Sequence, residues 1–167
     1  VVSIFGTLFL GYFVGKWLGL SKHVVHLISC GTAICGGSAI AAIGPVLRAK
    51  DEEMSVGLGT VFVLNAIALF AFPPIGHALH MSQNQFGLWC AIAIHDTSSV
   101  VGAAAAYGNQ ALEVATTVKL ARALWIIPVA IGTAMIFKQK GVKISIPYFI
   151  FGFILAMLFN TFAPAYI

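Results

Sequence analysis

Charge is what this sequence has least of. Asp, Glu, Lys and Arg make up 8 % of its 167 residues, against about 25 % in an average soluble domain. A water-facing exterior cannot be built from that supply. Cysteine is scarce too. Cys30, Cys35 and Cys90 each lie in apolar surroundings, without the polar, extracellular context of a disulfide framework. They read as small buried thiols. A signal-peptide pattern of basic start, short apolar core and small-residue cleavage site is also missing. These absences exclude disordered, collagen-like, disulfide-stapled and soluble nucleic-acid-binding classes.

Apolar residues are what remains. They make up 60 % of the chain, with thirteen Phe, and the mean hydropathy is +0.99. A soluble protein of this size could not hide so much apolar surface. The expected class is an all-α integral membrane protein. Its net charge of +4 carries no nucleic-acid signal, because the basic residues sit in short connections, as the positive-inside rule has it. The chain starts at Val1 inside one apolar run and stops at Ile167 just after another. Residues 1–167 are therefore expected to be the C-terminal part of one membrane transport domain in a longer chain.

A bilayer-spanning helix needs about 20 apolar residues. Residues 1–20, 54–78, 111–137 and 144–163 qualify as four spans. Residues 23–47 and 86–108 are apolar but interrupted. The first is interrupted at Cys30-Gly31-Thr32 and at Gly36-Gly37-Ser38, the second at His95-Asp96-Thr97-Ser98-Ser99. Arms of nine residues reach roughly 14 Å, half the hydrocarbon thickness, which puts the second break at mid-membrane. Slid by 60 positions, Cys30 falls on Cys90, Ala33 on Ala93, Ile34 on Ile94, Ser38 on Ser98 and Glu53 on Glu113. Candidate repeat units are about 22–79 and 83–137.

Charge selects the topology. Lys16 and Lys22, Arg48 and Lys50, and Lys138, Lys140 and Lys143 share the cytoplasmic side only if both interrupted segments turn back. The expectation is transmembrane helices with two re-entrant, discontinuous helical hairpins entering from opposite faces. Non-helical backbone at mid-membrane is tolerable where protein or a wet cavity covers it, as in inverted-repeat transporters.

The breaks carry the candidate chemistry. Asp96 at mid-membrane is a functional-site candidate by its cost alone. His95 beside it is either a proton carrier or a hydrogen-bonded tip residue. Thr97, Ser98 and Ser99 are natural caps for the returning arm. Gly36 and Gly37 allow close approach to main-chain N–H groups, and Ser38 is placed to cap a half-helix over 39–47. Such a terminus suits an anion. Lys119 and Arg122 share a helix face and need a ligand or a counter-charge, with Glu113 and Asp96 as candidates. No cofactor and no metal site are expected.

The run Cys30-Gly31-Thr32-Ala33-Ile34-Cys35-Gly36-Gly37-Ser38-Ala39-Ile40-Ala41-Ala42 resembles the signature of the YeiH family of bacterial inner-membrane proteins, described as sulfate exporters. Ala93-Ile94-His95-Asp96, Val100-Val101 and Ala115-Thr116-Thr117-Val118-Lys119-Leu120-Ala121-Arg122 resemble two further family blocks. Asp96 stands where some members carry Glu, and Ala121 where some carry Thr. The resemblance covers nearly the whole chain from about Leu20. It implies further spans on the N-terminal side and kinship with inverted-repeat secondary transporters.

The combined expectation is a multi-pass transporter of the bacterial inner membrane, exporting or exchanging a small anion such as sulfate or a related oxyanion. Gly36, Gly37, Ser38, Thr97, Ser98, Ser99, Lys119 and Arg122 would bind substrate. His95 and Asp96 would couple transport to protons. Expected partners are the lipid bilayer, the anion, a proton or sodium ion and further copies of the chain, with no nucleic acid. The alternatives are a proton- or sodium-coupled carrier of a cation or neutral solute, and an intramembrane enzyme using Cys35 or Cys90 with His95.

Overall fold

The computed structural model describes residues 2–137 and Leu155. The expected last span at 144–163 and the basic link at 138–143 lie outside this range, Leu155 excepted. All regular structure among the described residues is α-helical: α1 Val2–Trp17, α2 Lys22–Ala33, α3 Gly37–Leu47, α4 Asp51–Ala78, α5 Gln83–Ala93, α6 Thr97–Tyr107, α7 Asn109–Ala123 and α8 Ile126–Ile136.

Helix α4 is the ruler of the fold. It begins three residues before the expected span, because Asp51, Glu52 and Glu53 fill its first turn. Acidic residues there complement the positive pole of the helix. The Lys50 backbone N–H also donates to Glu53 Oε2 at 3.0 Å. Its 28 residues make a rod of about 42 Å, long and apolar enough to cross a bilayer. Helices α7 and α8 form a second such rod, from Asn109 to Ile136. The sequence predicts one uninterrupted helix there. The structure loosens it at Leu124 and Trp125, one turn before Pro128, which has no N–H to return to the Leu124 carbonyl.

Side-chain neighbours fix where the short helices lie along α4. His23 Nδ1 pairs with Glu53 Oε2 at 3.1 Å. Gly57 faces Leu27, and Gly36 faces Val61. Helix α2 thus runs parallel to the first half of α4. Helix α3 then returns: Gly37 faces Phe62 and Leu58, Gly57 faces Ile40, and Gly44 faces Met54. The second pair uses the other half. Gly76 faces Phe86, Trp89 stacks on Phe72 with ring centroids 4.2 Å apart, and the His95 N–H donates to Asn65 Oδ1 at 2.9 Å. Helix α6 comes back past Leu69 at Gly102 and reaches Gly76 at Tyr107. Tyr107 stacks on Phe86 at 3.7 Å. Two helical hairpins therefore flank α4, their mouths at its opposite ends and their tips together near its middle, between Val61 and Asn65.

Each hairpin carries its own core. One cluster joins Leu27, Cys30, Ile34, Ile40, Ile43 and Leu47 to Val61 and Ile126. The other joins Phe86, Cys90, Ile94, Val100 and Ala103 to Ala111 and Ala115. The helix boundaries follow the 60-residue offset. Helix α3 maps onto α6 end for end, Ala33 and Ala93 close the first arms, and Ile34 and Ile94 are both C-caps. The exterior is apolar, with Phe5, Phe9, Phe13, Phe62, Phe70 and Met135 all more than half exposed. Such a surface belongs against lipid or protein.

Candidate functional site

The two tips meet, and glycine is the reason they can. Gly36 has φ +69° and ψ −123°, a backbone state close to glycine-only. A Cβ there would stand 3.1 Å from Val61 Cγ1 and 3.3 Å from the carbonyl carbon and oxygen of His95. The Gly36 N–H returns to the Gly31 carbonyl at 2.8 Å, which closes α2 before α3 starts. In the second hairpin the chain goes extended at Ile94 and Asp96 before α6 begins.

At each tip one helix ends and another begins, and the two poles are treated differently. The carbonyl ends of α2 and α5 receive the buried cations. Lys119 Nζ donates to the Ile94 carbonyl at 2.8 Å. Arg122 Nη1 donates to Ala91 and Ile92 at 3.2 and 3.1 Å, and its Nη2 to Ala33. Arg122 thus bridges the two hairpins through the last carbonyls of both first arms. Lys119 is 1 % and Arg122 8 % exposed. The sequence leaves a ligand or a counter-charge open for this pair, and the structure engages neither of the two candidate carboxylates. Glu113 is exposed, and neither cation forms an ion pair with it or with Asp96 among the described residues. Carbonyls at helix C-termini carry partial negative charge, and five guanidinium donors in a fixed fork can serve several at once.

The amino ends of α3 and α6 lie on the more open side. Ser38 and Ser98 are exposed, and Gly37, His95, Asp96, Thr97 and Ser99 are partly so. Helix α6 is capped by Asp96, whose Oδ2 accepts from the Ser99 N–H at 3.1 Å, Ser98 Oγ at 2.6 Å and Ser99 Oγ at 3.3 Å. The sequence predicts Thr97, Ser98 or Ser99 as the cap. The aspartate takes that place because it comes first and a carboxylate suits the positive pole. Helix α3 starts at Gly37, not Ala39, and its N-cap Gly36 offers no side chain, so Ser38 lies inside the helix.

One residue was passed over in the sequence. Asn65 is 2 % exposed in the middle of α4. Its Oδ1 holds the His95 N–H, while its Nδ2 has no hydrogen-bond partner among the described residues. Its signal was a lone amide in an apolar span, which counts for more in lipid than in water.

The chain matches, over residues 1–165, the family described as conserved hypothetical protein 698. It belongs to this family, the YeiH family to which the glycine motif points. A UPF0324 membrane protein of Bacteroides thetaiotaomicron is 70 % identical over 163 residues, 97 % of this chain and 49 % of the relative. That of Photobacterium profundum is 61 % identical over 165 residues, 99 % and 51 %. That of Porphyromonas gingivalis is 60 % identical over 164 residues, 97 % and 50 %. The chain spans about half the length of the curated relatives it matches. No solved structure matches it. With its apolar helices and these relatives, the chain is a membrane protein, and its described residues form helices without strands.

Proposed function

We propose that the chain forms part of a secondary transporter of the bacterial inner membrane that exports or exchanges a small anion, such as sulfate or a related oxyanion. The observation that carries this reading is the crossing of two broken helix pairs at the middle of α4. There the amino pole of α3 has no side-chain cap and that of α6 carries Asp96, while the carbonyl poles of α2 and α5 are closed by Lys119 and Arg122. The net field at such a crossing favours negative charge. In a bilayer the hairpins are re-entrant and enter from opposite faces, and the 60-residue offset supports an inverted repeat. Lys16, Lys22, Arg48 and Lys50 flank the amino end of α4, which makes that end cytoplasmic.

The direct test is counterflow in proteoliposomes holding the full-length protein. Sulfate, sulfite and small organic anions should exchange, and cations should not. Exchange of a cation or a neutral solute alone would move the assignment to the rival carrier class.

A further inference from the structure

The two tips are equivalent by position and unequal in charge. Under the 60-residue offset Asp96 falls on Gly36, and both are N-caps of helices with matching ends. Helix α6 brings its own carboxylate to its positive pole. At the same pole of α3 there is none. No hydrogen-bond acceptor among the described residues takes the N–H groups of Gly37 and Ser38. The side chains packed against Gly37 are the apolar Phe62 and Leu58, and the Cys35 thiol beside the Ala39 amide and the Ser38 hydroxyl is a weak acceptor.

A second observation points to the same place. Asn65 is 98 % buried, taking its 2 % exposure from the whole, and its amide lies where the tips touch. Its Oδ1 is fixed on the His95 N–H, and a Cβ on Gly36 would meet both His95 and Val61, one turn back from Asn65 on α4. The orientation is set, so the end left over is a donor, Nδ2, with no acceptor among the described residues. A buried donor without an acceptor is costly. Main-chain N–H groups, the Ser38 hydroxyl and an amide N–H₂ are all donors, and the acceptor that fits such a set is an oxyanion.

We infer that the anion's seat is the amino end of α3, completed by Asn65 Nδ2, and that Asp96 is the built-in counterpart of that anion at α6. This rests on the anion-carrier reading and sharpens it: the two tips do not share substrate equally, and the ligand is one carboxylate, sulfate or similar oxyanion group. The substrate occupies at α3 the position that the protein's own carboxylate occupies at α6.

The test compares two exposed first-turn positions in the full-length protein, one at the α3 tip and one away from both tips. Ser38→Asp puts a carboxylate into the first turn of α3, and Gln110→Asp does the same at α7. Both positions face outward, and an acidic residue near a helix start is favourable for folding. Binding of radiolabelled sulfate and of acetate is measured on purified protein. The expected result is that wild type binds at least one of them, Ser38→Asp weakens that binding about tenfold or more, and Gln110→Asp leaves it within about twofold. Asn65→Asp keeps the acceptor for His95 but turns the free donor into an acceptor, and it should lose binding in the same way. If wild type binds neither probe, the anion-carrier reading itself fails. If wild type binds and Ser38→Asp binds equally well, or Ser38→Asp and Gln110→Asp lose binding alike, the seat is wrong while the carrier reading stands.

Discussion

Arg122 has a larger structural part than its sequence context implies. A cationic pair in an apolar span invites a search for opposite charge, and sequence shows carboxylates but not carbonyls. The partners here are the main-chain oxygens of Ala33, Ala91 and Ile92. From sequence alone, Arg122→Ala is expected to spare the fold and weaken substrate binding. With these bonds, the same change strands carbonyls of two hairpins, each worth about 1–3 kcal/mol when buried and unpaired. Arg122→Ala should therefore lower the unfolding temperature in detergent. Arg122→Lys keeps the charge but not the fork, and it should recover only part of the loss. Wild-type stability in both variants would contradict the bridging role. Asp96 allows a cleaner separation. Asparagine is as good an N-cap as aspartate, so Asp96→Asn should keep the start of α6 intact. It should still exchange substrate but lose the dependence on a pH gradient. Flux through Asp96→Asn that follows the gradient as wild type does would remove this residue as the coupling group.

At the level of elements, the breaks in the two hairpins were legible and their caps were not. Gly36-Gly37 and the polar run 95–99 are where the chain turns, but Cys30-Gly31-Thr32, which also interrupts the apolar pattern, lies inside α2, because small residues there pack within a continuous helix. Which residue caps is decided by one position in register, and Asp96 and Gly36 each precede the serines and threonine that propensity favours. The early start of α4 was hidden for a related reason. Its first turn is acidic, and an apolar-span criterion discards what the helix dipole welcomes. The loosening at Leu124 and Trp125 follows from Pro128, a residue that a hydropathy window counts as neutral. Hairpin direction is open to a labelling experiment. Lys50 caps the amino end of α4, and Asn84 lies in the first turn of α5, beyond the other end. Single cysteines at these positions, treated from outside intact cells with an impermeant maleimide, should label at 84 and not at 50. The opposite pattern would invert the orientation, and labelling at both would remove the charge-based topology.

For the whole molecule, α4 holds both hairpins, one on each half, and their tips meet close to its midpoint. The sequence offset hints at two related units, but it could not say that they share a helix. That sharing is a matter of packing between residues far apart in the chain. It also gives the molecule a mechanical property. A rod gripped symmetrically about its centre has a fulcrum there. Each end of α4 lies about 21 Å from the middle, so a tilt of about 10° carries each end sideways by about 3.6 Å, in opposite directions, while the midpoint stays where it is. The mouths of the two hairpins would open and close out of phase around tips that do not move.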